Sequence, residues 1–147
     1  MRLVAGAIAT LVLAGASSAA SPIPVRIVSQ QAIAVPHGVL WLGPSYSGLP
    51  ARAVRVRFNV GTAVRIDYEL LAIWNYDRFV PPQVRASQTT AVQTFPLDSG
   101  GTARFFLGTG GTAVVEVEKD GRTAALVSRY SPKVDLVKAA QKVTTRR

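Results

Sequence analysis

The chain has no cysteine, one histidine and one methionine. Without cysteine there is no disulfide, no thiolate nucleophile, no iron–sulfur cluster and no lipid carried on sulfur, so stability must come from packing. The single histidine, His37, lies in a Pro-His-Gly turn and lacks the partners that a zinc site requires. No G-x-S-x-G elbow offers it a serine nucleophile. The stretch Gly108-Thr109-Gly110-Gly111 is rich in glycine but lacks the lysine and the following helix of a phosphate loop. No metal and no cofactor is expected.

Acidic residues are scarce, with 8 Asp and Glu against 17 Lys and Arg and a net charge of +9. Such an excess attracts anions in general, among them lipopolysaccharide, acidic glycans, nucleic acid and acidic proteins. Nucleic acid is not an expected partner, because neither aromatic interleaving nor a groove-entering helix accompanies the charge.

Long apolar runs are scarce as well. The one from Leu3 to Ala14 follows Arg2 and leads into Ser18-Ala19-Ala20. It is shorter than the roughly 20 apolar residues that a bilayer-spanning helix needs. Its charged start, apolar centre and small-residue end are those of a secretory signal peptide, residues 1–20, cleaved after Ala20. The expected mature chain of roughly 127 residues is one domain without a transmembrane anchor, and loss of Arg2 takes its charge to +8. A 48% apolar fraction is enough for a core. Export, absent cysteine and abundant alanine and arginine suggest a bacterial envelope protein, periplasmic or extracellular at the cell surface.

What the chain does have is β alternation. Val54, Val56, Phe58 and Val60 alternate with Arg55, Arg57 and Asn59, and Val64, Ile66, Tyr68 and Leu70 alternate with Arg65, Asp67 and Glu69. A three-residue loop Gly61-Thr62-Ala63 would set Phe58 by Ile66 and Val56 by Tyr68, with Arg57 opposite Asp67 and Arg55 opposite Glu69. The second arm is expected to run on through Ile73 and Trp74 and to break at Asn75-Tyr76-Asp77. Shorter strands are expected at 25–28, 32–35, 39–42, 83–86 and 91–97.

Gly-Thr-Ala at Gly101 and Gly111, and Gly-Arg-Thr-Ala at Gly121, punctuate a meander. Pairing Leu107 with Ala113 sets Phe105 by Val115 and Arg104 opposite Glu116. Pairing Glu118 with Arg122 around Lys119-Asp120-Gly121 sets Val114 against Leu126.

These patterns predict an all-β fold over residues 21–130: a single antiparallel β-sandwich, Ig-like in general architecture, of about seven to nine strands. A small β-barrel is the alternative. Residues 131–147 are expected to form a basic amphipathic helix and tail, capped by Ser131-Pro132 and frayed from Thr144. Leu136, Ala139, Ala140 and Val143 share one side of the wheel, and Lys138, Lys142 and Arg146 another.

Chemistry is harder to find. Asp67, Glu69, Glu116 and Glu118 are each matched to an arginine on an exposed sheet surface, which reads as pairing and not catalysis. Asp98 and Asp120 lie in Gly-rich turns. A small exported hydrolase using Asp77 and Asp98 is the alternative reading, and a cleft with convergent polar groups near either acid would favour it.

Two surfaces are candidates for binding. Trp74, Tyr76 and Phe79, interleaved with Arg78, suit a sugar or a peptide, unless Trp74 and Tyr76 belong to the core. The stripe of Lys138, Lys142 and Arg146 suits an anionic partner, with Arg26, Arg52, Arg65, Arg78, Arg85, Lys119 and Arg129 as further cations without an assigned acid. The expected function is therefore non-catalytic: an exported envelope protein that binds or assembles with an anionic envelope polymer or an envelope protein, in one version a surface-fibre or adhesin subunit. An unpaired edge strand or an apolar patch would favour assembly.

Overall fold

A computed structural model describes residues 23–88, 90–108, 112–128 and 135–147. The signal-peptide segment, the Ser131-Pro132 cap, Arg129 and the glycines at 110 and 111 lie outside the described residues. The elements in chain order are β1 (Ile27–Ile33), β2 (Leu40–Trp41), β3 (Ser45–Tyr46), β4 (Leu49–Pro50), β5 (Arg52–Phe58), β6 (Gly61–Asp67), β7 (Leu71–Tyr76), α1 (Pro82–Arg85), β8 (Ala91–Pro96), β9 (Thr102–Leu107), β10 (Ala113–Lys119), β11 (Arg122–Ser128), α2 (Leu136–Ala140) and β12 (Thr144–Thr145).

The protein is mostly β, as expected. Eight strands form one antiparallel sheet in the order β1-β5-β6-β7-β11-β10-β9-β8, in which the non-consecutive neighbours are β1 with β5 and β7 with β11. The layer over its inner face is not a second large sheet. It is built from residues 33–51, which carry the ribbon β3–β4 and the pairing of β2 with β12, and from α2.

Both faces of the sheet are buried, and this decides the registers. On the inner face Ala53, Ile66, Ile73, Leu126 and Val115 lie in one cross-strand row, packed with Leu40, Leu136, Ala139, Ala140 and Val143. On the outer face Val56, Phe58, Ala63, Trp74, Tyr76, Val114 and Ala125 make a second core with Val84.

The central hairpin differs from its expected alignment. The loop is the two residues Asn59 and Val60, and Phe58 pairs with Gly61, Val56 with Ala63 and Ala53 with Ile66. Each strand alternates as expected, but the two apolar sets face opposite ways: Val56 and Phe58 outward, Val64 and Ile66 inward. Alternation alone does not say which apolar set faces which core when both faces of a sheet are buried. Arg57 and Asp67 consequently stand on opposite faces. Asp67 instead takes both nitrogens of Arg65, two residues earlier on its own strand, at 2.7 and 3.0 Å.

Strand β6 ends at Asp67, and β7 begins after a tight turn in which the Tyr68 N–H reaches the Leu71 carbonyl at 2.9 Å. Strand β7 then runs through Tyr76 without a break at Asn75. In place of the strand expected at 83–86, residues 82–85 form the helical turn α1, because Pro82 at the first helical position fixes a helical φ and has no N–H to satisfy.

The β9–β10 register is the expected one, with Arg104 opposite Glu116 and Phe105 opposite Val115. The β10–β11 register is one residue off expectation. Lys119 pairs with Arg122 and Val114 with Val127, around a two-residue turn in which Asp120 (φ 53°) and Gly121 (φ 73°) are both left-handed. Asp-Gly is the dipeptide that such a turn favours, since its twist suits the strands.

Helix α2 begins at Asp135, whose carboxylate accepts the Lys138 N–H at 3.0 Å. Its expected apolar side is the buried one. The tail is not frayed: Thr144 and Thr145 pair with Trp41 and Leu40.

Candidate functional site

Two polar side chains, Asn75 of β7 and Tyr68 of the turn before it, set the geometry of the inner face. The Asn75 amide accepts the Leu40 N–H at 2.7 Å and donates to the Leu40 carbonyl at 3.0 Å. The Tyr68 hydroxyl accepts the Leu42 N–H at 2.9 Å and donates to the Gly43 carbonyl at 2.7 Å. Burial pushes the Tyr68 phenol up to about 12, against a smaller opposite effect of the Leu42 N–H. Residues 40–43 are thereby clipped to the sheet, and the tail pairs onto them.

That clip assembles a basic strip with aromatic backing. Lys142 Nζ stands 6.0 Å from the ring centre of Tyr46, and the Arg146 guanidinium 5.3 Å from that of Trp41. The Arg146 Nε is buried without a hydrogen-bond partner among the described residues, so the indole face is what it receives in place of water. Arg122 adjoins the strip at Gly38, whose N–H donates to the Arg146 carbonyl at 2.6 Å. Lys138 is exposed on α2. The cations stand out in the sequence, but that Trp41 and Tyr46 lie beneath two of them does not, since those contacts span about a hundred residues.

The aromatic cluster is distributed differently. Trp74 and Tyr76 are 3% and 9% exposed in the outer core, and Phe79 packs edge-on against Phe58 with centroids 5.2 Å apart. Arg78 is exposed. The core reading of Trp74 and Tyr76 therefore applies.

Two of the acids matched to exposed arginines also need correction. Glu116 does pair with Arg104, but it is 7% exposed and also accepts from the Tyr76 hydroxyl at 2.8 Å and from Gln88 at 3.2 Å. Burial works against its charge, yet the bonds from Arg104, Tyr76 and Gln88 hold its carboxyl below the usual range. Burial and the neighbouring carboxylate raise the Tyr76 phenol far above its ordinary value, so it remains a donor. Glu118 lies opposite Thr123 and not Arg122. Lys119, expected as a surface cation without an assigned acid, is 8% exposed and ties down the β8–β9 turn through Ser99 and Gly100 at 2.7 to 3.1 Å.

Asp77 lines a cleft of about 340 Å³ with Gly38, Thr62, Asn75, Arg122 and Thr123. Asp98 is not part of it: its N–H is bonded to the Gln141 side chain, beside α2. The structure does not bring the two acids into one site. Among the described residues no group of three His, Asp or Glu side chains could hold a metal, and no helix is long and apolar enough to cross a membrane.

Both edge strands of the sheet are exposed, and β1 is the one without a proline. Ile27 to Ala32 are all exposed, and Ile27 and Val28 retain 37% and 45% of their surface. The strand contains neither a charge nor a proline, and beyond the irregularity at Ile27/Ser29 it pairs regularly from Ser29 to Ile33. The opposite edge, β8, ends in Pro96 and is interrupted by an irregular step opposite Phe105/Phe106. No family model, curated protein or solved structure matches the chain.

Proposed function

We propose that the protein is an exported, non-catalytic envelope module that assembles with an envelope protein by accepting an extended segment along β1. The observation that carries this reading is the uncharged, proline-free and solvent-exposed strand. Natural edges are guarded by charge, proline or bulges; β1 has neither charge nor proline, and beyond its one irregularity at Ile27/Ser29 the regular run Ser29–Ile33 is a template for a further strand. Arg55 and Arg57 stand in the next row, opposite Gln31 and Ser29, and would favour acidic side chains on the incoming segment. On this reading residues 1–20 are a cleaved leader, and the mature chain works in the periplasm or at the cell surface.

A second contact, to an anionic envelope polymer, is favoured by the strip of Lys142 and Arg146 held over Tyr46 and Trp41. Co-sedimentation with isolated envelopes separates the two. Under strand addition, Val28→Lys with Gln31→Lys abolishes association, while Lys138→Glu, Lys142→Glu and Arg146→Glu together leave most of it. Under polymer binding the charge reversal abolishes it, and added salt weakens the wild type by screening beyond about 8 Å. Wild-type association that neither set of changes reduces would overturn both.

A further inference from the structure

The cleft at Asp77 is lined by two residues of opposite charge, Asp77 and Arg122, that no salt bridge joins. The pairing of β11 with β7 ends at Thr123 and Tyr76, and the residues just beyond it, Arg122 and Asp77, both line the cleft. Among the described residues the salt bridges within 4.0 Å are Arg65 with Asp67 and Arg104 with Glu116, and Arg122 and Asp77 are not joined. The guanidinium instead lies on Gly38, where a Cβ would stand 3.0 Å from one of its terminal nitrogens. Gly38 has φ +87°, so a side chain there would be both strained and in the way.

Other groups near the gap are occupied. The Asn75 amide is used by Leu40. Asp120, the remaining acid beside Arg122, accepts the Thr145 hydroxyl at 2.6 Å. That leaves the Arg122 guanidinium, the Asp77 carboxylate and the hydroxyls of Thr62 and Thr123 around about 340 Å³ of space. The volume is at the small end of ligand sites, and the charges are of both signs.

We propose that this cleft binds a small zwitterion of the α-amino-acid type, its carboxylate on the Arg122 fork and its ammonium on Asp77. A planar guanidinium suits a carboxylate through two parallel bonds. A ligand carrying only one charge would leave the other wall's charge unmatched, so the site discriminates by needing both.

Glycine is the probe, titrated into the full chain while backbone amide shifts are followed by NMR. Saturable shifts at the Gly38, Gly121 and Thr123 amides are expected, with acetate and methylammonium at least tenfold weaker. Arg122→Gln and Asp77→Asn should each weaken glycine binding at least tenfold. Both residues are exposed, so the variants should melt with the wild type. Absence of saturable shifts in the wild type, acetate binding as tightly as glycine, or undiminished binding by Asp77→Asn would each overturn the proposal. It stands apart from strand addition, because the changes to β1 should leave the glycine titration unaltered.

Discussion

The side-chain amide of Asn75 satisfies both the N–H and the carbonyl of Leu40, at 2.7 and 3.0 Å. One residue of the large sheet thereby does for a two-residue strand what a neighbouring strand would do. The consequence travels along the backbone, because Leu40 and Trp41 pair with the tail, and the Arg146 N–H bonds to the Val39 carbonyl at 2.8 Å.

Asn75→Ala should therefore cost about 1 to 3 kcal/mol, the penalty for leaving partly buried backbone groups unmet. Hydrogen exchange gives the sharper readout. The amides of Leu40, Gly38 and Arg146 should lose protection together while those of β10 and β11 keep theirs. If Arg146 retains its protection, packing and not the amide holds the tail.

The opposed faces of the central hairpin make a second prediction. Phe58→Ala should cost about 3 to 5 kcal/mol and Ile66→Ala about 2 to 5, since each empties a buried site. Because the two lie in separate cores, the double variant should lose their sum to within about 0.5 kcal/mol in urea denaturation. A coupling well beyond that would mean the two side chains share one core after all.

The comparison of Arg57–Asp67 with Arg104–Glu116 explains how much of this was legible. Both were matched by the same reasoning, from alternation plus charge, and only the second pair exists. In β9 and β10 the loop length and the charge match favour one alignment, and Arg104 meets Glu116. In β5 and β6 each strand alternates cleanly, but no local signal says that their apolar sides face opposite cores. The second core is completed by Phe79, Val80 and Val84, which follow β7 and read as loop or weak strand. Burial of Glu116 was invisible for a related reason: its second and third partners, Tyr76 and Gln88, lie 40 and 28 residues away. The amphipathic side of α2 was readable because one heptad of sequence contains it. The aromatic backing of Lys142 and Arg146 was not, because Tyr46 and Trp41 reach them only through the Asn75 and Tyr68 clips.

Glu116 gives the last prediction. It is a buried carboxylate whose bonds from Arg104, Tyr76 and Gln88 outweigh its burial and hold its folded pKa below the ordinary value of 4.5. In the unfolded chain the same group takes up its proton at a higher pH than in the fold. Its contribution is thus complete above the unfolded value and is lost as pH falls through the folded one. Glu116→Gln should cost about 1 to 3 kcal/mol at pH 7, where charge-assisted bonds are at full strength. The gap between wild type and variant should shrink once pH drops below about 4.5, when the wild-type carboxylate also becomes neutral. Arg104→Ala removes the cation and leaves the buried charge less compensated, so its acid unfolding midpoint should move to higher pH than the wild type's. Urea denaturation from pH 7 down to pH 3 measures all three proteins. A wild-type advantage over Glu116→Gln that stays constant across that range would mean that the shape of the residue, and not its charge, joins β10 to β7 and β9.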